Sequence, residues 1–184
     1  MNKQVVVYTS ETGFTQKYAM WIAEELGCEA INMKDWMRRK PSDYQTVIYG
    51  GGFYAVQIKG LKKMKNCLKQ YPGIRLIVFG TGATPPEEKE MVKAAMDGNF
   101  TDEERGKIPA FYFQSGLNYE NMSLKYKLMM KAFISMLKKK TDLTKEEKVM
   151  MGMLAHSYDF CKKENIRELI NYSENGVQKG LTPL

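Results

Sequence analysis

The stretch "QVVVYTSETGFT", residues 4–15, decides how the rest of this sequence is read. Gln4 to Thr9 is continuous and β-branched, the pattern of a strand buried on both faces. Five of the eight residues from Tyr8 to Thr15 carry a hydroxyl, and one glycine sits among them. Phe14 to Leu26 then follows a helical period, with Tyr18, Ile22 and Leu26 at i, i+4 and i+8 and Gly27 placed as a C-cap. A buried strand therefore runs through a hydroxyl-rich turn into an amphipathic helix. Such a turn offers unpaired backbone N–H groups, and the helix dipole adds roughly half a positive charge there. A phosphate fits that position. Ser10, Thr12 and Thr15 are spaced to line the turn, with Gly13 inside it. The turn has neither the Walker pattern nor G-x-G-x-x-G. It has no lysine, and Glu11 adds a negative charge. That favours a phosphomonoester held by neutral donors over a triphosphate with magnesium. Helix capping by Ser10 or Thr12 alone is the simpler alternative.

Outward from this unit the alternation continues. Strands are predicted at Cys28 to Met33, Thr46 to Tyr49, Ile74 to Phe79 and Ala110 to Phe113. Helices are predicted at Ile58 to Lys69, Pro85 to Met96 and Lys162 to Asn171. A turn of helix and a loop broken by Pro41 fill Asp35 to Tyr44. Gly50-Gly51-Gly52 and Gly80-Thr81-Gly82 are read as loops closing the third and fourth strands. The pattern predicts an α/β fold with a five-stranded parallel sheet between helices, as a three-layer sandwich. Ligands of open α/β sheets bind beyond the carboxyl ends of the strands, so the three loops should converge on one site.

One segment breaks the rhythm. Between Gly116 and His156 no strand is predicted, and the segment reads as a helical insertion into a single domain spanning 1–172. Residues 173–184 read as a flexible tail. Met122 to Lys140 is helical in period, and Thr144 to Leu154 reads as a second helix with a Thr144-x-x-Glu147 capping box. The first of these carries Lys125, Lys127, Lys131, Lys138, Lys139 and Lys140 and no acid, a charge of +6. Seven of the 14 methionines lie between Met122 and Met153. This basic amphipathic helix can pack as ordinary core. It can wall off a large flat hydrophobic substrate, since methionine adapts to irregular shapes. It can also rest on an anionic membrane surface.

Bulk composition sets the outer bounds. The chain has 184 residues, 43% hydrophobic and 27% charged, enough for one domain with a sizeable core. Its net charge of +7 favours anionic ligands. No apolar run approaches the roughly 20 residues of a membrane span, and no signal-peptide pattern is present. The expectation is a cytoplasmic protein, with 122–140 as the candidate for peripheral contact with the inner face of a membrane. Cys28, Cys67 and Cys161 are odd in number and far apart, so neither a disulfide framework nor a metal site is expected.

The motif Ser10-Glu11-Thr12-Gly13-Phe14-Thr15 after the first strand resembles the phosphate loop of flavodoxins, which implies the flavodoxin-like strand order 2-1-3-4-5 and FMN as cofactor. The resemblance implies that Ser10, Glu11, Thr12, Gly13, Phe14 and Thr15 surround the FMN phosphate. It places Gly51, Gly52, Phe53, Tyr54 and Ala55 beside the flavin ring, with Tyr54 covering it. It sets Thr81, Gly82 and Ala83 against the pyrimidine edge. Tyr54 as an ordinary core or surface aromatic is the alternative. The stretch "FYFQSGLNYENMSLKYKLMMKAFISMLKKK" is similar to the long basic insertion of the flavodoxin-domain group that includes menaquinone-dependent protoporphyrinogen IX dehydrogenase, an enzyme group of heme biosynthesis. That resemblance implies an FMN-dependent oxidoreductase passing electrons from a flat hydrophobic substrate to a quinone. Lys59, Lys125 and Lys127 would meet substrate carboxylates, and the flavin would carry the chemistry without a catalytic side chain. Electron-carrier flavodoxins are acidic, unlike this chain. A flavodoxin-type electron-transfer protein with a redox-protein partner is the alternative, and a binding module without a cofactor is a third reading. No nucleic-acid partner is expected. His156, the only histidine, reads as structural or surface.

Overall fold

The structure is a computed structural model that describes residues 3–54, 56–140, 142–144, 151 and 156–175. In chain order, β1 is Gln4–Thr9, α1 Phe14–Glu25, β2 Glu29–Asn32 and α2 Met33–Trp36. These are followed by β3 Thr46–Tyr54, β4 Gln57–Ile58, α3 Leu61–Leu68 and β5 Arg75–Gly82. Next come α4 Lys89–Asp97, α5 Asp102–Arg105, β6 Ala110–Gln114, β7 Gly116–Leu117 and α6 Leu124–Lys138. β8 Tyr158–Asp159, a 3-10 turn at Lys163–Ile166 and α7 Arg167–Asn175 complete the described chain.

The parallel strands lie in the order β2-β1-β3-β5-β6, which is 2-1-3-4-5 once the hairpin strand β4 is set aside. The fold is the flavodoxin-like α/β sandwich. Its two faces follow from the alternation of side chains along each strand. Val5, Val7, Val47, Tyr49 and Val78 pack with Trp36, Leu61, Met64, Val92 and Met96 on one side. Val6, Ile48, Ile77, Phe79 and Phe113 pack with Tyr18, Ile22, Leu169 and Tyr172 on the other. Val5, Val6 and Val7 are all fully buried, as a continuous apolar run in a central strand requires.

Several boundaries differ from the sequence expectation, each for a physical reason. β3 and β5 do not stop at their glycines. They run through them, and Gly50, Gly51 and Gly52 pair in register with Phe79, Gly80 and Thr81. The glycines serve lateral packing. A Cβ on Gly50 would come within 2.5 Å of three Phe79 ring atoms, and one on Gly80 would lie 2.5 Å from the Phe53 ring. β3 then folds back as a hairpin, with Phe53 opposite Ile58 and Tyr54 opposite Gln57, so α3 begins at Leu61 rather than at Ile58. The two prolines do not open α4. Pro85 accepts the Glu88 N–H in a turn, and the helix starts at Lys89.

The insertion is bracketed by strands: β7 pairs antiparallel with β8, Gly116 opposite Asp159. The predicted helix over 144–154 falls mostly outside the described residues. At the C-terminus α7 continues through Asn175. Ser173, predicted to begin a tail, is 4% exposed and donates from its hydroxyl to Gln4 Oε1 at 2.6 Å. Residues 176–184 lie outside the described chain.

Candidate functional site

Thr9 ends β1, and Gly13 caps α1 in the left-handed region, at φ 95°, where a Cβ would be strained. The turn is closed from within: the Gly13 N–H donates to Ser10 Oγ at 3.2 Å, and the Lys17 N–H donates to the Gly13 carbonyl at 2.9 Å. Ser10 and Gly13 therefore shape the loop, while Glu11, Thr12, Phe14 and Thr15 line the cavity beside it. Thr15 is buried, and its hydroxyl lies 2.8 Å from that of Thr81, likewise buried, at the end of β5. The Asn118 amide donates to the Thr12 carbonyl at 3.2 Å and ties the insertion to this turn.

The ends of β3 and β5 form the second wall. A Cβ on Gly52 would sit 3.5 Å from Thr15 Oγ1 and 3.8 Å from Thr81 Oγ1, so the floor here is flat and hydroxyl-lined. The Phe53 ring covers Gly80 and Gly82 and meets Tyr112 at 6.0 Å between centroids. Tyr112 is anchored through its hydroxyl to the Thr84 carbonyl at 2.8 Å, and burial pushes its phenol well up. The β4 end is held from below. Tyr49 donates to the Lys59 carbonyl at 2.7 Å, so the 2.8 Å contact with Thr9 leaves Thr9 as donor. Burial pushes the Tyr49 phenol up to about 12, against the Thr9 bond that lowers it. Gly51 faces the returning hairpin, where its Cβ would meet the Lys59 carbonyl at 2.5 Å. It is a packing residue outside the cavity wall.

These elements enclose a cavity of about 500 Å³, within the range of small-ligand sites. Thr12, Thr15, Gly52, Phe53, Tyr54 and Thr81 line it, together with Gly82, Ala83 and Lys59. Ala55 and the Lys125 side chain lie outside the described residues. Lys127 points elsewhere: its ammonium donates to the Glu120 carbonyl at 2.9 Å and sits 5.8 Å from the Tyr119 ring centre. Lys59 is ion-paired with Glu11 and lies 5.7 and 5.8 Å from the Tyr54 and Tyr126 rings. The negative charge of the first turn is thus matched by a cation from the hairpin.

Sequence reasoning offered the 122–140 helix as one possible wall but assigned no lining residue to it. Ser115, Leu117 and Asn118 come from the segment after β6, and Met122, Tyr126, Met129, Met130 and Phe133 from the insertion. Tyr126, Met130 and Phe133 stand at i, i+4 and i+7, a helical face that the sequence carries openly. Tyr126 meets Tyr54 with ring centres 3.9 Å apart. Leu124, Leu128 and Met136 lie on the outer side of α6 and are exposed.

The flavodoxin domain family matches residues 5–144 of this sequence. No curated protein matches. Among solved structures, the chain is similar to a flavodoxin, WrbA-like protein from Agrobacterium tumefaciens. The TM-score is 0.41 at 16% identity, over 68% of this chain and 87% of that one. It is also similar to a flavodoxin from the domain Archaea, at TM-score 0.36 and 17% identity, over 61% of this chain and 84% of that one. Against the rubredoxin oxygen:oxidoreductase of the anaerobe Desulfovibrio gigas the TM-score is 0.41 at 16% identity, over 96% of this chain and 38% of that one.

Proposed function

Because this chain belongs to the flavodoxin domain family, we propose that the cavity holds FMN and that the protein is an FMN-dependent oxidoreductase. The observation that carries this reading is the convergence of three things on one space: the hydroxyl turn at the N-terminus of α1, the Phe53–Tyr54 arm and the Thr81–Ala83 strand end. The donor set fits the group. Thr12, Thr15 and the free N–H groups of the first helical turn suit a phosphate without a metal. Gly52 leaves the floor open where a side chain would approach Thr15 and Thr81. The aromatic walls of Phe53, Tyr54 and Tyr126 suit a flat ring. FMN supplies reversible redox chemistry when bound, and the protein binds, orients and shields it from water.

The substrate we infer is flat and hydrophobic, of the protoporphyrinogen type, with a quinone as electron acceptor. Tyr126, Met129, Met130 and Phe133 support that reading, because they add an adaptable apolar wall to the cofactor cavity. Lys59 is the cation placed to exchange Glu11 for a substrate carboxylate.

Titrating purified protein with FMN and following flavin fluorescence tests the cofactor. Anaerobic incubation of the loaded protein with protoporphyrinogen IX and menadione, read by porphyrin fluorescence, tests the substrate. Tight FMN binding without porphyrin formation favours the electron-transfer protein. Absence of FMN binding refutes both.

A further inference from the structure

Among the described residues, Val56 is the one non-glycine in the left-handed region, at φ 64°. It sits at the tip of the β3–β4 hairpin, 70% exposed. A β-branched residue there is strained, and such a conformation persists only when its surroundings hold it. The holder is Asn99, just beyond the end of α4 and 43 residues away in sequence. Its side-chain N–H₂ donates to the Val56 carbonyl at 2.9 Å and to the Ala95 carbonyl of α4 at 2.7 Å. Its Oδ1 accepts the Ile58 N–H at 2.7 Å. One carboxamide therefore spans the turn, its N–H₂ donating to one side of Gln57 and its oxygen accepting from the other. The anchor is itself fixed. The Asn99 N–H donates to Met96 O at 3.0 Å, and Lys65, paired with Glu104 at 2.7 Å, donates to Asn99 O at 3.0 Å.

Register links this clamp to the cavity. Ile58 lies opposite Phe53 and Gln57 opposite Tyr54, so fixing residues 56 and 58 fixes the strand positions from which the two aromatic rings project. We infer that Asn99, which lies outside the cavity wall, is a positioning residue of the cofactor site: it holds Val56 left-handed and thereby sets Phe53 and Tyr54 against the ligand ring. This rests on the flavin reading above.

The test compares wild type, Asn99→Ala and the double variant Asn99→Ala with Val56→Gly. The readouts are FMN and riboflavin affinity, and hydrogen exchange at the Ile58 amide in the FMN-free protein. Loss of two cross-turn hydrogen bonds should weaken both ligands by about tenfold or more. The two should weaken equally, because the phosphate turn is untouched. Ile58 exchange should quicken. Glycine carries no left-handed penalty, so Val56→Gly should recover most of the affinity in the Asn99→Ala background. Asn99→Asp, which keeps the acceptor but sets a carboxylate oxygen against the Val56 and Ala95 carbonyls, should lose at least as much and serves if Asn99→Ala does not fold. Wild-type affinity in a folded Asn99→Ala or Asn99→Asp protein overturns the proposal, as does a loss that Val56→Gly does not relieve. Wild-type protein that takes up neither ligand overturns instead the functional reading on which the proposal rests.

Discussion

Gly50→Ala and Gly52→Ala, two positions apart on β3, should have opposite consequences. At position 50 the new methyl falls within 2.5 Å of three atoms of the Phe79 ring. Phe79 is fully buried and packs against Phe113 at 5.4 Å between centroids, so it has little room to retreat. Overpacking of this kind costs about 3 kcal/mol. Replacing glycine in a strand returns about 0.5–1 kcal/mol of chain entropy. The net is a loss of about 2 kcal/mol, or roughly 4–8 °C in Tm for a chain of this length. At position 52 the methyl sits 3.5 and 3.8 Å from two hydroxyl oxygens, ordinary contact, so only the entropy gain remains. Gly52→Ala should therefore be as stable as wild type or slightly more so. It should bind FMN more weakly, because the methyl rises from the cavity floor. Thermal unfolding of both variants without FMN, followed by FMN titration, separates the two effects. A Gly50→Ala protein as stable as wild type would refute the reading of these glycines as packing residues.

Further outcomes follow from the same geometry. Thr15→Val strands the Thr81 hydroxyl and should cost about 1–3 kcal/mol in urea unfolding. The double change to valine at both positions should recover part of that, and strict additivity would show that the 2.8 Å pair is not an energetic unit. Tyr126→Ala removes the ring that meets Tyr54 and should speed FMN release roughly threefold to tenfold in stopped-flow, with the far-UV spectrum unchanged. At Glu104, burial pushes the carboxyl up, but the Lys65 ammonium and Thr101 outweigh it and hold it below its ordinary 4.5. Its stabilisation is thus complete above the unfolded-state value and lost as pH falls towards the lower folded one. Stability measured from pH 6 to pH 3 should decline less steeply in Glu104→Gln, and an identical slope would count against the Lys65 pair.

Much of the frame was legible because its signals are local. The unbroken Val5-Val6-Val7 run, the period from Tyr18 to Ile22 and the turn glycine at 13 each depend only on neighbours in sequence. The first half of the site was legible for the same reason: Thr12 and Thr15 follow the strand end directly. The glycine triplets misled because glycine serves loops and close packing alike, and only Phe79 and Phe53, seated against Gly50 and Gly80, show which. The lysines divide, Lys59 lining the cavity and Lys127 not, because charge reveals where a cation begins along the chain and not where its long side chain ends. Lys59 reaches Glu11, while Lys127 turns to the Glu120 carbonyl.

The sequence by itself determined the alternation of elements, the double-sided burial of β1 and the hydroxyl-rich turn before α1, since each arises from periodicity and backbone freedom within a few residues. Tertiary structure alone decided which distant residues meet at the cavity and around it. Thr15 meets Thr81 across 66 residues, Asn118 reaches Thr12 across 106, and Asn99 holds Val56 across 43. Such pairs leave no periodic trace, because each is a single polar contact whose partner is chosen by the folding of the whole sheet.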